Sequence, residues 1–233
     1  MMCFKYYLYG FKILSNCSLN LLDEFCDQVY IDTVNFNVNI QNNDFHNNIH
    51  IRFYTENDTD YLELSSNISY ILDYKNNIIY AQASTMEQIQ STMLNLPFAI
   101  FLVRKEMLLL HGSCFCYNKQ LIPLCAPKGT GKTTLTAALT KIYPFFSDDT
   151  VALLSYNGIV GYAGSNCIKL TDSSYEALGF DIDLNDLPRN IQNKVYMRMQ
   201  NTLEYRSKSL NLKIVCHYKI FESYCHRNQI SHR

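Results

Sequence analysis

The chain has 233 residues, of which 48% are apolar and 18% are charged, a composition that supports a sizeable core and excludes wholesale disorder. Twenty Lys and Arg side chains nearly balance 21 Asp and Glu, which excludes a globally basic nucleic-acid binder. No apolar run approaches the roughly 20 residues that cross a bilayer. The nine cysteines are scattered, and no export signal precedes them. We therefore expect a cytoplasmic protein with reduced thiols that binds neither nucleic acid nor membrane.

The first eighty or so residues favour β-structure. Aromatic, β-branched or alternating runs predict strands at 4–14, 49–54, 61–64, 69–74 and 78–83. The turn residues at 75–77 predict that the last two of these strands form a hairpin. Between the strands predicted at 4–14 and 49–54, the Asn-rich stretch 35–48 is typical of an exposed loop. We therefore treat residues 1–83 as a strand-rich N-terminal region.

Residues 84–233 mix helix and strand signals without a βα repeat. A helical pattern begins at a Ser84 cap, with Glu87 three residues later, and is interrupted at Pro97. A second helix is predicted at 132–143. Hairpins are predicted from 107–117 with 120–124 and from 149–155 with 159–162. A short strand is predicted at 168–170, a short helix at 172–178 and a late strand at 210–221. The pattern indicates an α/β fold of mixed α+β character, with a mixed sheet in this second domain.

The most specific local motif is a strand, a glycine turn and a helix in residues 124–135. Gly129 and Gly131 allow backbone N–H groups to curl toward phosphate oxygens. Lys132 would bridge the β- and γ-phosphates, and the Thr133 hydroxyl would ligate Mg²⁺. The motif predicts ATP, with GTP not distinguished, and Mg²⁺ as cofactors. The predicted cofactor-binding residues are Ala126, Pro127, Lys128, Gly129, Thr130, Gly131, Lys132, Thr133 and Thr134.

That motif departs from the consensus at its first position, where Ala126 replaces the usual glycine. Because Ala126 lies at the end of the strand, a small residue is expected to suffice there. The alternative is an ordinary glycine turn before a helix.

Two adjacent carboxylates, Asp148 and Asp149, follow the motif at the start of an apolar strand. Phosphoryl transfer to a hydroxyl needs one carboxylate on the metal side and one that accepts the proton. His111 lies on the strand before the one that leads into the glycine turn, close enough to face the γ-phosphate or to orient an aspartate. The alternatives are a polar turn before a strand and a histidine satisfied within the core.

This ordered set resembles the catalytic domain of the HPr kinase/phosphorylase superfamily. The residues that carry the resemblance are Leu-His-Gly-Ser (110–113), Ala-Pro-Lys-Gly-Thr-Gly-Lys-Thr-Thr (126–134) and Ser-Asp-Asp (147–149). Lys-Leu-Thr-Asp-Ser (169–173) is also similar to the segment that follows in these proteins. More narrowly, the chain looks like the short HPr-kinase-related proteins, some of which tailor lasso peptides. The fold implied is the one shared with phosphoenolpyruvate carboxykinase.

The resemblance implies a Mg²⁺-dependent serine kinase that acts on a peptide or small protein. It implies catalytic roles for His111, Lys132, Asp148 and Asp149. Asp148 corresponds to the general base, whereas Asp149 corresponds to a metal or histidine contact, so that Thr133 and Asp149 form the metal set. The N-terminal region becomes a candidate for acceptor recognition, and a homo-oligomer is a further implication because the HPr-type relatives assemble into rings.

Departures from the family keep other functions open. Lys128 replaces the usual Ser, and a Glu-x-Arg-Gly-like signature is absent, which argues against phosphorolysis. Residues 1–83 do not resemble the family's N-terminal domain, which argues against HPr itself as the acceptor. The alternatives are a non-catalytic nucleotide-binding module and a carboxykinase-type enzyme. A basic residue is also expected across the site, with Arg189, Lys194 and Arg198 as candidates.

Overall fold

The chain folds around two large sheets with helices packed on them. The computed structural model describes residues 3–24, 30–41, 51–65, 67–155, 158–181, 183–190, 193–200, 210–213 and 216–217. Over these residues the architecture is mixed α/β, and strands outnumber the four α-helices. No helix in this part of the chain has the length and apolar character that a membrane crossing requires.

The first sheet collects the N-terminal strands β1 (Phe4–Leu8), β2 (Phe11–Ser15), β3 (Asp23–Glu24), β4 (Asp32–Ile40), β5 (Arg52–Glu56), β6 (Thr59–Ser65), β7 (Ile68–Asp73) and β8 (Ile78–Ala83). Their order across the sheet is β3-β1-β2-β4-β8-β7-β6-β5. β4 is parallel to both β2 and β8, and the other neighbours are antiparallel. The predicted hairpin around residues 75–77 is confirmed as β7 and β8.

Strand β4 corrects the loop that the sequence predicts at residues 35–48. Val34 and Phe36 are fully buried, and they alternate with asparagines that point to the other face of the sheet. Asparagine disfavours strands in general, but burial of the alternating apolar residues outweighs that preference in a central strand. Residues 42–48 lie outside the described part of the chain.

Two helices cover one face of this first sheet, α1 (Met86–Met93) and α2 (Leu96–Arg104). Phe98 and Phe101 of α2 are fully buried against a cluster that includes Phe11 and Phe36. The domain boundary expected after residue 83 therefore lies between β8 and α1, and the two helices that follow it share a hydrophobic core with the first sheet.

The cap of α1 lies one residue later than the sequence predicts. Thr85, rather than Ser84, is the N-cap, and its hydroxyl accepts from the Gln88 N–H. The Gln88 side chain in turn accepts from the Thr85 N–H, which completes a capping box. Glu87 therefore does not play the partner role expected for it.

The second sheet contains β9 (Leu108–Tyr117), β10 (Gln120–Cys125), β11 (Phe145–Ser147), β12 (Thr150–Ser155), β13 (Ile159–Tyr162), β16 (Leu210–Asn211) and β17 (Cys216–His217). Their order is β16-β13-β12-β9-β10-β17, with β11 also beside β9. The predicted hairpins β9–β10 and β12–β13 are confirmed. The strand predicted at 210–221 is interrupted, and its last residues lie outside the described ranges.

The remaining elements surround the glycine loop. Helix α3 (Lys132–Leu139) follows β10, and it is shorter than the predicted helix at 132–143. A two-stranded sheet of β14 (Cys167–Leu170) and β15 (Val195–Arg198) packs on α3 together with α4 (Asp172–Leu178). This packing brings β14 opposite the start of β12, where the aspartate pair lies.

Candidate active site

Residues 126–131 form an open glycine loop between β10 and α3. Gly129 and Gly131 each have a φ of +83°, a left-handed conformation that favours glycine. A Cβ built on either residue would meet no atom within 4 Å, so both face open space. The Thr130 hydroxyl donates to the Pro127 carbonyl at 2.8 Å and closes the turn. The loop is therefore a cradle at the N-terminus of α3, where backbone N–H groups and the helix dipole favour an anion.

The Lys132 ammonium is held over this loop. The residue is 8% exposed, and its Nζ donates to the carbonyls of Ala126 at 2.7 Å and Pro127 at 3.1 Å. A buried positive charge that is held by neutral carbonyls gains from an incoming anion, since phosphate oxygens are stronger acceptors. The arrangement can bind a polyphosphate.

The Asp148 carboxylate joins three separate elements. Its Oδ1 accepts from the Thr133 hydroxyl at 3.1 Å and from the Ser113 hydroxyl at 2.5 Å. Its Oδ2 accepts from the Lys169 N–H at 3.0 Å. Burial raises the pKa of Asp148, and the neighbouring charge of Asp149 adds to that effect. Asp148 therefore links the first turn of α3 to β9 and β14.

The Asp149 carboxylate points away from that network and toward the cleft. Its Oδ2 lies 2.7 Å from Lys169 Nζ, and Nζ also donates to Asn95 Oδ1 at 3.2 Å. Burial alone would raise the pKa of Asp149, but the Lys169 charge outweighs it, so the pKa is lowered. Burial likewise opposes the charge of Lys169, and Asp149 outweighs it to raise the Lys169 pKa. The pair is a charged contact across the floor of the cleft.

His111 lies beside the aspartate pair because β9 pairs with β12. His111 is opposite Thr150 in the register, and its Nδ1 lies 3.1 Å from the Asp149 carbonyl oxygen. The side chain is exposed toward the cleft rather than satisfied inside the core. A histidine there can contact a ligand directly.

These residues surround a cleft of about 630 Å³. Its lining includes the predicted site residues His111, Lys128, Gly129, Gly131, Lys132, Thr133, Thr134 and Asp149. Ala126, Pro127, Thr130 and Asp148 adjoin these residues without lining the cleft themselves. The opposite walls come from the junction of α1 and α2, from β14 and α4, and from Lys194; they include Asn95, Leu96, Ala99, Lys169, Thr171 and Ser174.

Lys169 is the site residue that motif reasoning did not single out. A lysine on a short strand does not by itself indicate a functional role. The one indication in the sequence is that Lys169 belongs to the segment 169–173, which is part of the resemblance. Of the basic residues expected across the site, Lys194 lines the cleft. Arg189 instead pairs with Asp172 at 2.8 Å, and Arg198 pairs with Asp23 at 3.1 Å.

The donor set fits a magnesium ion that arrives with a nucleotide. Within the described residues, no group of three or more His, Cys, Asp and Glu could hold a metal. Thr133 and Asp148 together offer a hydroxyl and a carboxylate oxygen at the end of the glycine loop. Mg²⁺ is usually bound by one or two such oxygens, with waters and substrate phosphates completing its shell.

No protein-family model matches the chain, and no curated protein matches it. Among solved structures, the HPr(Ser) kinase/phosphatase from Coxiella burnetii is similar in part. The identity is 15%, the match covers 42% of this chain and 89% of that chain, and the TM-score is 0.26. Similarity at that level carries no argument about function.

Proposed function

We propose that the protein is a Mg²⁺-dependent phosphotransferase that moves the γ-phosphoryl group of ATP to a serine hydroxyl of a peptide or small protein. One observation carries the proposal. The hydroxyl of Thr133, directly after the loop lysine, is hydrogen-bonded to Asp148 at the end of an open glycine loop. That combination supplies a phosphate cradle and a cation in the cleft, with a pair of oxygens suited to a metal directly beside it.

The phosphate groups would be held by the glycine loop. Its N–H groups and the N-terminus of α3 favour negative charge. Lys132 would exchange its contacts with the Ala126 and Pro127 carbonyls for phosphate oxygens. Lys194, which also lines the cleft, adds positive charge on the opposite side.

The hydrogen bonds favour a division of roles opposite to the one that the resemblance implies. Asp148 lies beside Thr133, so these two residues would hold Mg²⁺, which would neutralise charge on the phosphates when bound. Asp149 lines the cleft and is free of that network, so it is the better-placed proton acceptor. Lys169 would keep the Asp149 carboxylate charged and oriented.

In the proposed reaction, the serine oxygen forms a bond to the γ-phosphorus as the bond from that phosphorus to the β–γ bridging oxygen breaks. ADP leaves with the electron pair of the broken bond, and Asp149 accepts the proton of the hydroxyl. Positioning and charge stabilisation supply most of the catalysis in such transfers. His111, exposed beside Asp149, would contact the transferred group.

The test is transfer of labelled γ-phosphate from ATP onto a panel of serine-containing peptides. We expect Asp149→Asn to lose transfer by roughly 10²-fold or more, as for loss of a general base, while it still binds Mg²⁺–ATP. Asp148→Asn should instead weaken Mg²⁺-dependent binding of ATP. Transfer by Asp149→Asn at the parent rate would remove Asp149 from the mechanism.

A non-catalytic nucleotide-binding module is the second candidate. The observation that favours it is the ion pair between Asp149 and Lys169, which engages the carboxylate that the reaction needs. A module of this kind would bind ATP but transfer its γ-phosphate to no acceptor, whereas the phosphotransferase would bind ATP and transfer the γ-phosphate.

A further inference from the structure

The turn between β1 and β2 reaches from the first sheet to the second. Tyr9 and Gly10 both have left-handed backbone, with φ of 50° and 85°, as in a two-residue hairpin turn. The Tyr9 N–H donates to the carbonyl of Ala163, directly after β13, at 2.8 Å. A Cβ on Gly10 would approach the ring of Tyr162 to 2.7 Å. The tip of the N-terminal hairpin is therefore seated closely on the second sheet.

The side chain of Tyr9 lies against the residues that flank the aspartate pair. It is 3% exposed, and its hydroxyl lies beside the side chains of Ser147 and Thr150. Burial raises the pKa of Tyr9 to about 12, so the hydroxyl keeps its proton and can donate it. A Cβ on Gly164 would come within 2.5 Å of Ser147 Oγ and 2.8 Å of the Tyr9 ring. Only glycine leaves room for this contact.

The turn at residues 147–150 needs support from its surroundings. Asp149 has a φ of +61°, which residues with a Cβ seldom adopt. The Thr150 N–H donates to the Asp148 carbonyl at 2.7 Å, and the Ser147 hydroxyl donates to the Thr150 carbonyl. A strained turn persists only where neighbouring groups hold it, and Tyr9 lies against both of its ends.

We propose that Tyr9 is a positioning residue that holds this turn, so that Asp148 faces Thr133 while Asp149 faces the cleft. Its effect on the reaction rests on the proposed function, whereas its effect on the turn does not. The N-terminal sheet thereby becomes part of the catalytic machinery, because a residue of its first hairpin sets the carboxylates of the second sheet.

The test compares Tyr9→Phe with Tyr6→Phe in the full chain. Tyr6 lies on the same first sheet, is 5% exposed, and its hydroxyl accepts from the Leu19 N–H at 2.9 Å. Both variants therefore lose one buried hydroxyl and keep the ring. We expect similar drops in melting temperature, which makes Tyr6→Phe the control for a merely structural effect.

Two measurements separate the variants. The first is amide hydrogen exchange at Thr150 and at Gly112, whose N–H donates to the Asp149 carbonyl at 3.2 Å. In ligand-free protein, exchange at both amides should be about ten-fold faster in Tyr9→Phe than in Tyr6→Phe. The second is labelled phosphoryl transfer, in which kcat should fall by about ten-fold or more, and KM for Mg²⁺–ATP should rise, in Tyr9→Phe alone.

Equal exchange in the two variants would overturn the proposal. Faster exchange with equal kcat would also overturn it, since the turn would then move without consequence for the reaction. If the parent protein transfers no phosphate and exchange in Tyr9→Phe is still accelerated, Tyr9 is supported as the residue that holds the turn, and the proposed function alone is refuted.

Discussion

The Thr133 hydroxyl lies 3.1 Å from Oδ1 of Asp148, and this contact joins the first turn of α3 to the turn that precedes β12. The two residues are 15 apart in sequence and come from different elements. Their contact places a hydroxyl and a carboxylate at the mouth of the glycine loop, where a nucleotide-bound Mg²⁺ would be held.

Replacing Thr133 by Val should remove the magnesium dependence of ATP binding. The change keeps the shape of the side chain and deletes the oxygen, so affinity in the presence of Mg²⁺ should fall by about ten-fold or more. Affinity without Mg²⁺ should change little. Calorimetric titration with and without the metal measures both values.

Thr140→Val is the matched control for that experiment. Thr140 lies at the other end of α3, where its buried hydroxyl donates to the Ala137 carbonyl at 2.9 Å. The same chemical change there should leave magnesium dependence intact. If Thr133→Val kept the full effect of Mg²⁺, the metal assignment would be wrong.

Replacing Lys132 by Met should abolish tight nucleotide binding. Lys132 is buried and directed over the loop, so its loss removes a desolvated charge at the phosphates and should weaken binding by roughly 30-fold or more. Lys128→Met removes an exposed charge in the same loop and should cost less than about five-fold. Equal losses in the two variants, measured by titration with ATP, would mean that Lys132 does not contact the phosphates.

Acid should destabilise the first sheet through Asp60. This buried carboxylate is bonded to Arg104 at 2.8 Å, to Thr55 at 2.6 Å and to Tyr74 at 2.7 Å. Burial would raise the pKa of Asp60, but these partners outweigh it and lower the pKa below its ordinary value. The stabilisation is therefore present above the unfolded-state pKa and is lost as the pH falls through the lower folded-state value.

Asp60→Asn should accordingly lower the melting temperature at neutral pH by roughly 5 °C. It should also flatten the loss of stability below about pH 4. Glu63→Gln is the control on the same strand, since the ion pair that Glu63 forms with Arg52, at 3.7 Å, is exposed to solvent. Melting temperatures of the three proteins, measured across acidic pH, test this prediction. If the melting temperature of Asp60→Asn fell with pH as steeply as that of the parent, Asp60 would not be the source of the acid sensitivity.

The local parts of the site could be predicted from the sequence, whereas the contacts between distant segments could not. The glycine loop, the aspartate pair and the hairpins follow from signals within a few residues. Lys169 contacts Asp149, which is 20 residues away in sequence. Tyr9, close to the N-terminus, contacts Ser147 and Thr150 in the middle of the chain. Neither residue type carries a local signal, because their roles come only from how the two sheets pack.

The same limit explains β4. Its asparagines favour a loop, because asparagine has a low intrinsic preference for strands. Because β4 lies between β2 and β8 and buries Val34 and Phe36, the segment is nevertheless a strand.

The most direct test of the central claim is loss of the γ-phosphate from ATP with Mg²⁺ present, because water or any added serine peptide can accept it. We predict release or transfer of labelled phosphate by the parent protein that requires Mg²⁺ and is absent in Lys132→Met. Tight ATP binding with the label wholly retained in ATP, across water and the peptide panel alike, would contradict the phosphotransferase and leave the nucleotide-binding module.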